Sequence, residues 1–237
     1  MVQLIHGNCV EEMAKLESGS VDLVVTSPPY NMQTRVRNGK YSYSEYADGL
    51  STKYANTLDC LPVPEFYELH KEAIRQMLRL SSIVVYNIQI VTGSKEAFFR
   101  IIGDYAEYLK DIVIWDKNHA QPAMNPGCIN RASELILIFE SDKRAGRSLS
   151  NYNFDRGTME DIWRIPRERS VSKRHKAVFP LALATKAVTG FSKEGATVLD
   201  PFMGSGTTGL ACKNLNRNFI GIELDPEYFQ LSQERLK

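Results

Sequence analysis

The stretch Thr197-Val198-Leu199-Asp200-Pro201-Phe202-Met203-Gly204-Ser205-Gly206-Thr207-Thr208-Gly209 constrains this chain most. A short apolar run stops at an acid and a proline, and a helix-like run opens at Thr207. Gly204 to Gly209 has the spacing G-x-G-x-x-G, which lets a backbone turn tightly and approach a ligand closely. A strand, a glycine turn and a helix in that order belong to α/β folds, where ligands lie at the carboxyl ends of the strands.

The rest of the chain repeats the alternation. Val21–Val25, Ile83–Tyr86, Ile112–Trp115, Leu135–Phe139, Thr197–Leu199 and Phe219–Ile222 are short apolar runs that predict strands. Helical spacing is predicted from Pro64-Glu65 through Leu80, over 94–105, over Phe179–Val188, over Thr207–Leu215 and from Asp225-Pro226-Glu227 onward. Strands alternating with helices imply a sheet covered on both faces: an α/β, doubly wound, mostly parallel (mixed) sheet. With 237 residues, one domain is expected over 1–237. Two stretches interrupt the alternation: a polar, Tyr-rich one at 31–63 and a basic one at 142–176.

The glycine turn alone does not name its ligand. A P-loop is excluded, because no Gly-Lys-[Ser/Thr] follows. A dinucleotide is disfavoured by Asp200, whose carboxylate would repel a pyrophosphate at the strand end. The same charge suits a cationic ligand such as S-adenosylmethionine. Glu223 ends the next strand, 19 residues after Gly204. It is placed to accept from both hydroxyls of a ribose.

Val24-Val25-Thr26-Ser27-Pro28-Pro29-Tyr30 closes an earlier buried strand. Two prolines fix the backbone and remove two N–H donors. The Ser27 hydroxyl and the carbonyls of Ser27 and Pro28 remain as acceptors, and Tyr30 adds an aromatic face. Acceptors beside a flat ring suit the exocyclic amine of a nucleobase. Holding its hydrogens would favour a tetrahedral nitrogen and free the lone pair for attack.

Together these segments resemble the amino-methyltransferases of DNA, the N4-cytosine and N6-adenine methylases, in their β-type order. Ser27-Pro28-Pro29-Tyr30 resembles the catalytic motif and Asp200-Pro201-Phe202-Met203-Gly204-Ser205-Gly206-Thr207-Thr208 the cofactor motif. Gly7-Asn8-Cys9, Trp163-Arg164-Ile165-Pro166-Arg167, His175 to Leu181 and Arg217 to Glu223 resemble further family segments in family order. Asn8 stands where the family often has Asp, and Lys176 where it usually has Pro. The resemblance implies a Rossmann-like methyltransferase fold and methyl transfer from S-adenosylmethionine. Ser27, Pro28, Pro29 and Tyr30 would be catalytic, with Tyr30 stacked on a flipped base. Asn8, Phe179, Pro180, Asp200, Pro201, Phe202, Gly204, Ser205, Gly206, Thr207, Thr208 and Glu223 would hold the cofactor. Ser27 in the first motif position tilts the choice towards cytosine N4, with adenine N6 as the alternative. C5-cytosine chemistry is disfavoured, since it needs a cysteine nucleophile, usually after proline, and Cys128 follows Gly127.

Charge distribution bears on the partner. The net charge is +1, which argues against a protein basic all over. Residues 142–176 nevertheless hold ten Lys/Arg against five Asp/Glu, a net of +5 against −4 elsewhere. Arg144, Arg147, Arg156, Arg167, Arg169, Lys173 and Arg174 are candidate phosphate contacts to DNA. The 31–63 stretch is expected to be a flap or a homodimer contact. An RNA base methyltransferase, a nicotinamide-dependent oxidoreductase and a non-enzymatic nucleic-acid binder are the disfavoured rivals. A partner restriction endonuclease is left open by the sequence.

The four cysteines and four histidines are scattered. They form no C-x-x-C, H-x-H or H-E-x-x-H, so neither a disulfide framework nor a metal is expected. The first residues show no basic-then-apolar leader, and no apolar run reaches membrane-span length, so a cytoplasmic protein is expected.

Overall fold

The computed structural model describes residues 1–31, 36–37, 40–41, 61–121, 126–143, 146–168 and 179–237. Ten strands and six helices are described. In chain order the first are β1 (Val2–His6), α1 (Cys9–Ala14), β2 (Val21–Thr26), β3 (Val36–Arg37), β4 (Lys40–Tyr41), α2 (Val63–Leu80) and β5 (Ser81–Ile88). They are followed by α3 (Lys95–Asp104), β6 (Leu109–Gln121), β7 (Arg131–Glu140) and β8 (Ile162–Arg164). The chain then forms α4 (Leu181–Phe191), β9 (Thr197–Asp200), α5 (Thr207–Asn214), β10 (Asn218–Glu223) and α6 (Pro226–Leu236).

Eight strands form one sheet in the order β1-β10-β9-β2-β5-β7-β6-β8, while β3 and β4 pair separately. From β1 to β5 all neighbours are parallel. β7 runs antiparallel between β5 and β6, and β8 returns to the parallel direction on β6. This is the α/β, doubly wound, mixed sheet that the alternation predicts. The central strand β2 is apolar on both sides, as a strand covered on both faces requires, and Leu23, Val24 and Val25 are fully buried.

Among the described residues, each face carries three helices. On one, α1, α2 and α3 bury Met13, Phe66, Ile74, Met77 and Phe98 against Val24, Val84 and Leu137. On the other, α4, α5 and α6 bury Leu183, Val188, Ala211 and Leu236 against Leu23, Val85, Val198 and Ile138, joined by Trp163. Helix starts follow local chemistry. Asn8 Oδ1 accepts from the N–H of Val10 at 2.9 Å. Asp225 accepts from Glu227 and Tyr228 at 2.8 and 3.1 Å, with Pro226 in the first turn.

The strand order creates the place for a ligand. From β2 the chain goes on to its neighbour β5, and from β9 to its neighbour β10 on the opposite side. β2 and β9 are adjacent and parallel, with Leu23 opposite Val198 and Val24 opposite Leu199. Their carboxyl ends therefore flank the crevice where strand order reverses. Five elements escaped the sequence pattern: β1, α1, β3, β4 and β8. β6 is also longer than its apolar run, continuing through Asp116–Gln121 with Asn118 at φ 65° and an irregular register.

Candidate active site

The turn after β2 carries Ser27-Pro28-Pro29-Tyr30, and its side chains enter a polar network assembled from distant strands. Ser27 Oγ and the Tyr30 hydroxyl are 2.7 Å apart. The Tyr30 hydroxyl donates to Glu134 Oε2 at 2.9 Å. Asn87 Nδ2 lies 2.6 Å from the Tyr30 hydroxyl, 2.7 Å from Glu134 Oε2 and 3.2 Å from Ser27 Oγ. Lys117 Nζ donates to Glu134 Oε1 at 2.5 Å. Asn87, Lys117 and Glu134 are buried at 1%, 3% and 8% exposure.

Burial and the neighbouring Glu134 charge push the Tyr30 phenol well above its usual pKa, so it stays protonated. Burial also depresses the Lys117 ammonium against the pull of Glu134, and the charges of Arg167 and Arg131 act in the same direction as burial. Asn87, Lys117 and Glu134 were not singled out by the sequence pattern. Next in the chain, Asn31 adopts φ 54° and is fully buried. Its Nδ2 donates to the carbonyls of Leu61 and Gly93 at 2.9 and 3.1 Å, which fixes where the chain leaves the turn.

The turn after β9 is held by short-range contacts instead. Asp200 Oδ1 accepts from the Phe202 N–H at 3.1 Å, and Oδ2 from the Thr208 hydroxyl at 2.7 Å. One longer reach joins the two turns: the Thr26 hydroxyl donates to Asp200 Oδ1 at 2.7 Å. Burial lifts the Asp200 carboxyl to about 6, against the pull of these three donors. The acid is 4% exposed with both oxygens engaged, so it is placed to clamp strand, turn and helix and to act through its charge.

Glu223, at the end of β10, accepts from the N–H of Gly204 at 2.7 Å and of Asp225 at 2.8 Å. Its carboxyl is raised, with desolvation the larger cause. A carboxylate has about four lone-pair sites, so acceptor capacity remains for a ribose. Gly204 and Gly206 adopt φ 53° and 80°. A Cβ at Gly204 would meet nothing within 4 Å, whereas one at Gly209 would stand 2.6 Å from Phe219 Cε1. Gly204 thus leaves open space on the crevice side, and Gly209 lets α5 sit on β10. Ser205 is turned away from that space: its carbonyl and hydroxyl both accept from Arg235 at 2.7 Å. Thr207 and Thr208 are buried, Phe202 partly so.

The remaining predicted residues are dispersed more widely. Asn8 follows β1, paired next to β10, and its amide oxygen is the cap of α1. Pro180 is the N-cap of α4, and Phe179 packs beside it on the second core face. Among the basic candidates, Arg147 is exposed and pairs with Asp111 at 2.6 Å. Arg156 is exposed and Arg167 half-buried. Arg144, Arg169, Lys173 and Arg174 lie outside the described residues, as does most of the 31–63 stretch. Among the described residues, no group of three His, Cys, Asp or Glu is placed to hold a metal, and no helix is long and apolar enough to cross a membrane. The described cysteines, Cys9, Cys128 and Cys212, are free thiols.

An acceptor-rich turn and a glycine turn thus stand side by side at the reversal of a doubly wound sheet. The model of the N6/N4 DNA methylases matches residues 21–234, which include both turns, and the chain belongs to that DNA methylase family. Along 99% of its length it is 27% identical to the type II methyltransferase M.HinfI of Haemophilus influenzae, covering 68% of that protein. Its fold matches that of the cytosine-N4-specific PvuII DNA methyltransferase at a TM-score of 0.75 over the whole chain and 86% of the other, at 18% identity. It also matches M1.HpyAVI in its S-adenosylmethionine complex, at a TM-score of 0.62 and 26% identity over the full length of both.

Proposed function

We propose that this chain is an S-adenosylmethionine-dependent DNA methyltransferase that acts on the exocyclic amine of a base, cytosine N4 in preference to adenine N6. The carrying observation is the Thr26–Asp200 bond, which sets the Ser27–Tyr30 acceptors beside the glycine turn. The residues of that turn fit the cofactor. Gly204 leaves open space, Glu223 keeps acceptor capacity at the next strand end, and buried Asp200 supplies a negative field.

When bound, S-adenosylmethionine supplies a methyl group on a sulfonium centre. Ser27 Oγ and the Pro28 carbonyl accept the two amine hydrogens, and Pro29 contributes no competing N–H. The nitrogen lone pair would then face the methyl carbon for in-line displacement: the N–C bond forms as the S–C bond breaks, S-adenosylhomocysteine leaves as a neutral thioether, and the methylated amine releases one proton. No covalent intermediate on the protein is required, so positioning supplies much of the acceleration. A duplex base reaches this crevice only by flipping out of the stack. The hydroxyl at position 27 favours cytosine N4. The whole chain is one methyltransferase domain, with the basic 142–176 stretch as the DNA-recognition element.

Incubation with DNA and methyl-labelled cofactor, followed by digestion to nucleosides, tests this. Label in N4-methylcytosine is expected. Label only in N6-methyladenine overturns the base choice, and no label overturns the activity. Preference for RNA in competition overturns the substrate. Arg156→Glu with Arg167→Glu is expected to weaken DNA binding and reduce the slope of log affinity against log salt by roughly one per lost phosphate contact; an unchanged slope removes these two from the interface.

A further inference from the structure

The network behind Ser27 has a direction that follows from counting protons. Tyr30 has one hydroxyl proton, and Glu134 Oε2 accepts it. The contact between Ser27 and Tyr30 must then run from Ser27 to Tyr30, because the Tyr30 oxygen has only lone pairs left to offer. Asn87 has two amide protons and three acceptors in reach. The two shorter contacts, to Tyr30 at 2.6 Å and Glu134 at 2.7 Å, take them. The 3.2 Å contact to Ser27 is left over. The Ser27 proton is therefore committed inward, and its lone pairs are the part of the hydroxyl left for a ligand. A serine is ordinarily donor or acceptor by rotation; this one is held as an acceptor.

The anchor of this polarity is the carboxylate, which only accepts. Lys117 holds its other oxygen at 2.5 Å from a strand position where both groups are buried. We infer that Glu134, fixed by Lys117, is a positioning residue that makes the Ser27 hydroxyl a one-way acceptor for the amine of the target base. This rests on the amine methylation proposed above. Through Tyr30, a carboxylate two hydrogen bonds away gives serine the acceptor character that an aspartate in that position would have by itself.

Single-turnover methyl transfer at saturating cofactor and DNA tests the inference, with cofactor and DNA affinities measured alongside. Glu134→Gln is expected to slow transfer by about a hundredfold, the scale of losing one oriented group at a reacting centre, with both affinities within about twofold of wild type. A chain carrying Ser27→Asp has no hydroxyl proton to direct, so adding Glu134→Gln there is expected to cost less than about threefold. Likewise, Tyr30→Phe breaks the chain of hydrogen bonds, and Glu134→Gln is expected to add little to it. Equal cost of Glu134→Gln in wild-type and Tyr30→Phe backgrounds overturns the inference, as does wild-type speed in Glu134→Gln alone. If Glu134→Gln does not fold, Lys117→Met with Glu134→Gln removes both charges together and is assayed in its place. A wild-type chain that transfers no label overturns activity and inference together, whereas an active wild type with an equally fast Glu134 variant overturns the inference alone.

Discussion

The turns after β2 and β9 stand side by side in the sheet but are held in opposite ways. After β9, the acid, its two short-range donors and the glycines lie within ten residues, and the helix that follows packs directly on the next strand. After β2, the prolines set the backbone, but the side chains depend on Asn87, Lys117 and Glu134 from three other strands. The β9 turn is a steric device and the β2 turn an electrostatic one. A backbone cradle needs close approach and little else, whereas hydroxyls need partners that fix the direction of their protons.

Substitutions can break this contrast. The largest effect is expected at Lys117→Met, which leaves Glu134 buried with a charge and no cation. Such a loss costs about 3–5 kcal/mol, read as a lower midpoint in urea unfolding. A small shift would mean that the β2 turn does not depend on this pair.

The next effect is a pH dependence on the β9 side. Burial lifts Asp200 from its ordinary 3.8 to about 6. Between those values the folded carboxyl still holds a proton that the unfolded one has released. Stability therefore falls as pH rises through this window, by about 3 kcal/mol in all at 1.36 kcal/mol per pKa unit. Asp200→Asn is expected to remove that part of the slope, measured as urea unfolding at pH 4 and 6.5. An identical slope in the variant would mean that Asp200 is not desolvated.

Gly209→Ala should destabilise by about 2 kcal/mol, since overpacking a tight contact costs 1–3 and Phe219 and Leu236 are both within 2.7 Å of the new carbon. An unchanged melting temperature would show that α5 can shift, and the cradle would then not be steric. Thr26→Val cuts the bond between the two turns and is expected to cost about 1.5 kcal/mol, the low end for a hydrogen bond to a charged group. Its sharper readout is methyl transfer, which should fall further than stability alone would dictate.

The same contrast explains what was legible in the sequence. Asp200, the glycines, Glu223 and the Asp225 cap act through near neighbours or through strand–helix order, so their spacing announces them. The Ser27–Tyr30 turn was legible as backbone because two prolines are local signals. Its supporting residues were not, since Glu134 is 104 residues from Tyr30 and 47 from Asn87. Glu134 also opens an apolar run, where it looks like the polar end of a buried strand. β1 and α1 carry too few apolar positions to show a period. β8, three residues long, is a strand only because β6 lies beside it.

The adjacency of β2 and β9 also sets the order in which the protein can assemble. Thr26 and Asp200 are 174 residues apart, and among the described strands β1 pairs with β10. β1 and β2 thus wait for β10 and β9. Until β9 arrives, β2 has an open edge flanked by apolar side chains, a template for mispairing with other chains. Contacts this remote in sequence also close slowly. The seam where the two turns meet is therefore a late event in folding, and a nascent chain that stops short of Thr197 holds a complete Ser27–Tyr30 motif with nothing for it to face.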